Sequence, residues 1–204
     1  MGDNVGKWAA GGSYGPVLSQ TELYLLQTDL ELHPILLGKH PSFTLAFSVQ
    51  SGNASGFNSD SRDRELPFAA KDEPATLPRV SQLYIITPQS PWCTVVKNEK
   101  GVTMNDICQA VWKDYAENYV TDTEFASVSP RLQEHIKRMA TNNLMNANGQ
   151  WGYYTPQPPQ VNRFKRVDWL RERIFFESLR RHDSYAVQRL GFKAPNIFVM
   201  DLSN

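Results

Sequence analysis

The chain has 204 residues, of which 41% are hydrophobic and 21% are charged. This length supports one sizeable core and is short for two, so we expect a single domain. Basic and acidic residues number 21 each, which excludes a global electrostatic attraction to nucleic acid or to an anionic membrane and leaves only local patches. Two cysteines, Cys93 and Cys108, are too few for a disulfide scaffold or a zinc cluster, and we expect two reduced, buried thiols.

The N-terminal segment is rich in glycine and lacks the apolar core that a secretory signal requires. No stretch approaches the roughly 18 apolar residues of a membrane span. We therefore expect a cytoplasmic protein that is neither secreted nor bound to a membrane. Residues 1–20 are predicted to be a flexible arm, with Trp8 and Tyr14 as its bulky anchors, and residues 21–204 are predicted to form the domain.

The first part of the domain mixes weak and clear patterns. Residues 21–26 are compatible with a short helix, and the alternation that follows predicts an edge strand that ends at Pro34. Residues 43–49 alternate apolar and polar side chains and predict a strand. Residues 50–77 show no periodicity and are rich in Gly, Ser, Asn and charges, so we expect a long irregular loop there.

The stretch 78–118 carries the densest apolar pattern in the chain. Two β-type runs, residues 80–87 and 92–97, flank a proline-rich turn and predict a β-hairpin. A helix then begins at Thr103, because the Thr103 hydroxyl can cap the Asp106 amide while the Asp106 carboxylate reaches back.

Two further helix starts follow the hairpin. Thr121 and Glu124 repeat the capping pattern, and Pro130 stands at the first position of a helix that is predicted to reach about Leu144. His135 lies beside the apolar stripe of that helix. It is expected to be a partly buried polar residue, since no second metal-ligating side chain stands at the required spacing.

The last part of the chain is irregular and then basic. Residues 141–162, rich in Asn, Gln and Pro, predict a second long irregular loop. Residues 163–193 carry nine basic and four acidic side chains, and around Arg171–Arg173 we prefer a pair of strands to a helix. A short helix ended by Gly191 and a final strand, residues 196–202, complete the pattern.

These elements predict an α+β fold. We expect a mostly antiparallel sheet with two or three helices packed on one face and with the two long irregular loops at its edges.

Five short motifs succeed one another along the chain: His33-Pro34-Ile35-Leu36, Pro91-Trp92 at the start of a strand, a helix capped after Val102-Thr103, Arg166-Val167-Asp168-Trp169-Leu170, and the closing strand NIFVMDL. This order resembles an uncharacterised domain family of mushroom-forming fungi (domain of unknown function 6699), over about residues 30–202. The family has no assigned activity. The resemblance therefore implies a shared α+β fold and a fungal, intracellular origin.

Our preferred functional hypothesis is a non-enzymatic interaction or self-assembling protein. The chain has no Gly-rich phosphate loop, no HExxH, no CxxC pair and no GxSxG, and we expect neither a metal nor a cofactor. The predicted contact residues lie in the two irregular loops and comprise Arg62, Arg64, Trp151, Tyr153 and Tyr154. We expect a protein partner or a second copy of the chain to bind there.

Two alternatives stay open. A small enzyme would use Asp168 as acid or base, Arg166 with Arg79 as anion holders and His33 or His182 as proton carriers, under the two loops. A nucleic-acid-binding protein would use the basic segment 163–193 and its aromatic rings Trp169, Phe175 and Phe176. Acidic residues interrupt that segment and the rings alternate as core residues do, so we do not expect nucleic acid as the partner.

Overall fold

The computed structural model describes residues 6–9, 15–58, 64–147 and 163–204 and confirms the α+β fold. The helices in these residues are α1 (Gln20–Leu26), α2 (Met104–Ala116), α3 (Asp122–Ser127), α4 (Pro130–Ala147), α5 (Arg166–Trp169) and α6 (Asp183–Leu190). The strands are β1 (Glu31–Leu32), β2 (Thr44–Phe47), β3 (Ala54–Phe57), β4 (Glu65–Pro67), β5 (Thr76–Leu77), β6 (Gln82–Ile86), β7 (Cys93–Lys97), β8 (Phe175–Arg180) and β9 (Ile197–Ser203). A 3₁₀ turn covers Ala69–Asp72.

A four-stranded sheet in the order β7-β6-β9-β8 forms the centre of the fold. Its outer pairs are antiparallel, and β6 runs parallel to β9. The strands β2-β3-β4 form an antiparallel sheet, and the backbone N–H of Val49 donates to the carbonyl of Ile174 beside β8, which links the two sheets. A two-stranded antiparallel pair, β1 with β5, completes the arrangement. The mostly antiparallel pairing follows the prediction.

The predicted hairpin and helix starts are confirmed. β6 pairs with β7, and the Asp106 amide of α2 donates to the Thr103 hydroxyl over 3.1 Å. The Thr103 amide donates back to the Asp106 carboxylate over 2.9 Å, which completes the capping box. Thr121 and Glu124 make the same reciprocal pair at the start of α3.

Helices cover both faces of the central sheet. The larger core includes Leu83 of β6, Phe198 of β9 and Ile107 of α2. A smaller core on the other face packs Ile86 of β6 against Ala186 of α6. The prediction placed two or three helices on one face, and α6 adds a layer on the other. The second layer is needed because β6 and β9 carry apolar side chains on both faces, as strands do when they are buried on both sides.

Residues 50–77 are not the single irregular loop that the sequence predicts, because they contain β3, β4, β5 and the 3₁₀ turn. The residue that hides β3 from pattern analysis is Gly56. A Cβ at this position would collide with the ring of Phe43 and would lie 2.7 Å from the carbonyl oxygen of Thr44. A strand whose inward position must be glycine shows no alternation of bulky side chains, and the period-2 signal is lost.

The predicted strand pair around Arg171–Arg173 is wrong. The chain forms the helical turn α5 up to Trp169, and β8 begins only at Phe175. Val167, Trp169 and Leu170 are all buried, which a half-exposed strand does not allow. The helical alternative, which Val167 and Leu170 also fitted, is correct for this part.

The boundaries of two other segments differ from the prediction. Leu18 is buried and its amide donates to the carbonyl of Arg79, so ordered packing begins before residue 20. α4 extends to Ala147, so the first residues of the predicted second loop are helical. In the part of the chain that the structure describes, no helix has the length and apolar character that crossing a bilayer requires.

Candidate functional site

A cleft of about 780 Å³ lies between α4, the turn from α5 to β8, the hairpin turn and α6. Its lining combines arginines with aromatic and aliphatic side chains: Pro88, Gln89, Ser90, Pro91, Leu132, His135, Arg138, Met139, Trp169, Leu170, Arg171, Glu172, Arg173, Tyr185, Arg189 and Asn204. Clefts of this size hold small ligands or a few residues of a bound chain.

One face of α4 forms a wall of the cleft. Leu132, His135 and Met139 follow one another at helical spacing, so they lie along the same side of the helix. A guanidinium N–H of Arg138 donates to Nδ1 of His135 over 2.9 Å. Because arginine has no acceptor, Nδ1 is the unprotonated nitrogen and the proton of a neutral His135 ring is on Nε2.

The opposite wall is the turn between α5 and β8, which contains Arg171 and Arg173. Arg171 has a φ of 62°, in the left-handed region. That conformation costs an L-residue other than glycine about 1–2 kcal/mol. The backbone of the turn is held by the Arg173 amide, which donates to the carbonyl of Leu170 over 3.2 Å.

The floor and the remaining wall are held by hydrogen bonds between elements. The Tyr185 hydroxyl of α6 donates to the carbonyl of Thr87 over 3.3 Å, and Arg189 donates to the carbonyl of Ser90 over 3.2 Å. The indole of Trp169 is 7% exposed, so its ring packs below the cleft surface.

The cleft carries a local excess of positive charge. Four arginines and one glutamate line it, although the whole chain has a net charge of zero. Arg171 and Arg173 make no salt bridge or side-chain hydrogen bond with the described residues. On the neighbouring strand and helix start, by contrast, Arg180 pairs with Asp201 and Arg181 pairs with Asp183.

Asp168, the predicted acid or base, is buried outside the residues that line this cleft. Its carboxylate accepts hydrogen bonds from Nδ2 of Asn143 at 2.7 Å and from the amide of Lys165 at 2.8 Å. Burial raises the pKa of Asp168 above its ordinary value, and these two hydrogen bonds act in the opposite direction. The arrangement caps α5 and fastens it to α4.

Arg166, the predicted anion holder, has partners of its own. It forms an ion pair with Asp114 of α2, and its guanidinium lies 4.7 Å from the centre of the Trp92 ring. Both charges are mostly buried, with side-chain exposures of 22% and 15%. The pair therefore ties α5 to α2.

His33 is buried in the segment that follows β1. Its Nδ1 accepts from the amide of Ile35 at 3.1 Å, and its Nε2 lies 3.0 Å from a carboxylate oxygen of Glu73. The Trp8 ring packs edge-on against it with 4.6 Å between ring centres. The structure thus gives His33, Asp168 and Arg166 separate sets of hydrogen-bonding partners.

Stability is expected to fall as the pH drops below about 6.5, through His33. Burial lowers the pKa of His33 and the neighbouring Glu73 only partly offsets this. Protonation of Nδ1 would also break the bond to the Ile35 amide. The unfolded chain therefore takes up this proton at a higher pH than the folded chain, so stability is fully present above the ordinary value of 6.5 and is lost towards the lower, folded value.

Urea unfolding across a pH series tests this expectation. His33→Asn, which keeps an acceptor for the Ile35 amide, should flatten the loss of stability on the acidic side, whereas His135→Asn should leave it in place. An unchanged pH profile in His33→Asn would contradict the assignment.

Most of the residues predicted to contact a partner lie outside the part of the chain that the structure describes. Arg62, Trp151, Tyr153 and Tyr154 lie outside the described residues, and Arg64 is exposed just before β4. Their role stays a prediction.

Of the rings proposed to bind nucleic acid, Trp169 and Phe176 are buried in the core, and Phe175 is 43% exposed. Of these three rings, Phe175 is therefore the one on which a nucleic-acid base could stack.

No pattern in the sequence identifies the cleft as a site. The basic segment 163–193 contains three of the arginines, Arg171, Arg173 and Arg189. The fourth, Arg138, and His135 come from α4. The local excess of basic residues was the available signal. That excess does not reveal that the arginines lie beside a helix that is more than thirty positions earlier in the chain.

The two cysteines are free; Cys108 is buried, as predicted, whereas Cys93 is only partly buried. Burial raises the pKa of Cys108 to about 12, which keeps this thiol protonated at neutral pH. Within residues 6–9, 15–58, 64–147 and 163–204, no group of three or more His, Cys, Asp or Glu side chains is arranged to hold a metal ion.

Comparison with known proteins identifies a family without a known activity. No curated protein and no solved structure matches the chain. A family of unknown function (DUF6699) matches residues 40–187, which lie within the region predicted from the motifs. Because this match covers well over half of the sequence, the chain belongs to the family of unknown function DUF6699.

Proposed function

We propose that this protein is a non-enzymatic interaction module that binds an anionic segment of a partner protein in the arginine-lined cleft. The observation that carries the proposal is the pair Arg171 and Arg173, which share the cleft with two further arginines and make no salt bridge with the described residues. Arginine is enriched at protein interfaces because its planar guanidinium forms paired hydrogen bonds with carboxylates and phosphates.

The rest of the lining supports a peptide as the ligand. Leu132 and Met139 give the cleft apolar surface between its charged walls, and such a combination suits a chain with alternating acidic and aliphatic side chains. Two of the residues proposed for acid–base catalysis, Asp168 and His33, are engaged elsewhere, since Asp168 bonds to Asn143 and His33 bonds to Glu73. Both observations favour binding over catalysis.

Fluorescence anisotropy with a labelled peptide of alternating glutamate and leucine tests the proposal. We expect the peptide to bind, with an affinity that falls as salt is raised, and we expect Arg173→Gln to weaken binding about tenfold, equivalent to about 1.4 kcal/mol. Arg180→Gln is the matched control, because Arg180 is paired with Asp201 outside the cleft lining. It should leave the affinity unchanged.

Absence of binding, or equal binding by the Arg173 variant, would contradict the proposal. Single-stranded RNA is the comparison probe, and binding of RNA in place of the peptide would favour the nucleic-acid alternative. Light scattering after size-exclusion chromatography of the same preparation reports self-association, which stays a prediction. The origin in a mushroom-forming fungus and the cytoplasmic location stay predictions as well.

A further inference from the structure

The geometry points to a phosphate monoester on a peptide as the anionic group that the cleft binds. This inference rests on the proposed function and names the ligand of the same site. Two features of the cleft carry it, its charge and its hydrogen-bond donors, and the end of α5 positions Arg171 among them.

The charge of the cleft exceeds what one carboxylate would neutralise. Four arginines face a single glutamate, Glu172, in the lining. A phosphate monoester brings a charge of about −1.5 to −2 and three acceptor oxygens, whereas a carboxylate brings one charge and two oxygens. Guanidinium groups bind phosphate through paired N–H donors, so several arginines can share one phosphate group.

The polar lining also favours a ligand that accepts hydrogen bonds. Arg171 and Arg173 have donors that no described residue uses. His135 adds a further donor, because Arg138 occupies its Nδ1 and leaves the N–H on Nε2. Phosphate oxygens at neutral pH act almost entirely as acceptors, which matches this set of donors.

The backbone at Arg171 is held in an unfavourable conformation. Arg171 and Gln27 are the residues other than glycine that have a positive φ in the described chain. Gln27 ends α1, where a left-handed residue is common. Arg171 likewise follows the end of α5, next to its C-cap Leu170, and this helix end places Arg171 in the wall of the cleft.

A peptide suits the cleft better than a nucleotide does. Trp169 is 7% exposed, which leaves little of its ring for a base to stack on, and the other ring in the lining, Tyr185, is partly buried with its hydroxyl bonded to the carbonyl of Thr87. The remaining apolar surface includes the aliphatic Leu132 and Met139. Such surface fits the side chains that flank a phosphorylated residue in an extended peptide.

The experiment uses three labelled peptides that differ at one position, with phosphoserine, glutamate or serine between leucines. We expect the phosphoserine peptide to bind at least tenfold more tightly than the glutamate peptide, and the serine peptide to bind most weakly. Arg171→Gly should weaken binding of the phosphoserine peptide at least tenfold while it raises Tm, because glycine adopts a positive φ without strain. Gln27→Gly is the matched control, which should raise Tm and leave the affinity unchanged.

The other outcomes reject either the phosphate ligand or the proposed function. Equal affinities for the phosphoserine and glutamate peptides would reject the phosphate inference and leave the anionic-peptide function in place. Failure of both to bind would reject the proposed function itself. Unchanged binding by Arg171→Gly would show that the Arg171 side chain does not contact the phosphopeptide. AMP and inorganic phosphate serve as competitors, and tighter binding of AMP than of the phosphopeptide would replace the peptide with a nucleotide.

Discussion

Replacement of Trp92 by alanine is expected to lower the free energy of unfolding by about 3–5 kcal/mol. Trp92 immediately precedes β7 and is 7% exposed, with the Trp169 ring centre at 5.1 Å and the Tyr115 ring centre at 5.9 Å. Its indole N–H donates to the Glu124 carboxylate over 2.7 Å. Alanine would leave a cavity where α2, α5 and the hairpin meet, and it would remove the ring on which Arg166 lies.

The loss should be read by urea unfolding followed by circular dichroism, since tryptophan fluorescence changes with the substitution itself. Trp92→Phe keeps most of the buried area and loses the donor to Glu124, so a loss of about 1–2 kcal/mol is expected. Val95→Ala in the adjoining strand β7 is the control, because Val95 is 44% exposed and should change stability by less than about 0.5 kcal/mol. A Trp92→Ala protein as stable as the control would contradict this view of the core.

The parts of the fold that the sequence predicts correctly depend on local signals. The hairpin β6–β7 follows from alternation within each strand, and α2 and α3 follow from Thr103 and Thr121, whose capping partners stand three positions away. In each case the interacting residues are neighbours in the chain. Such signals need no knowledge of how distant segments meet.

The features that the sequence does not reveal depend on distant contacts. Gly56 has no room for a side chain because the Phe43 ring lies across it, and the short helix α5 packs against both α2 and α4. The cleft draws its arginines from three separate elements, so no window of the sequence contains the site. Residue type alone selected Asp168 and Arg166 as reactive groups. Their partners, Asn143 and Asp114, are 25 and 52 positions away.

α5 connects the core to the cleft. Asp168 and Arg166 of this short helix bond to α4 and α2, and the residues that follow Asp168 form the floor and wall of the cleft. A helix of four residues has too few internal hydrogen bonds to hold itself in place. Its position, and therefore that of Arg171, depends on these two anchored side chains.

Asp168→Ala is accordingly expected to lower the free energy of unfolding by about 2–4 kcal/mol. The change leaves the side-chain amide of Asn143 and the backbone amide of Lys165 without their acceptor, in a site that excludes most solvent. Asp168→Asn should cost about 1 kcal/mol or less, because its oxygen still accepts from Lys165. The NH₂ group of the new asparagine needs an acceptor, so the amide of Asn143 must rotate to present its oxygen. In the wild type Gln50 donates to that oxygen over 2.9 Å, so the amide of Gln50 must then rotate as well.

The relay through Gln50 makes this expectation specific. Gln50→Leu leaves the Oδ1 of Asn143 without its donor in the wild type and the Nδ2 of the rotated Asn143 without its acceptor in the Asp168→Asn background, so we expect a similar loss of stability in both. A double-mutant cycle by urea unfolding compares these two losses. If Asp168 is a catalytic group and not a structural one, Asp168→Ala should instead leave stability unchanged or raise it, since active-site charges are often retained at a cost to stability. A large loss in Asp168→Ala that Asp168→Asn restores would assign the carboxylate to the junction of α4 and α5.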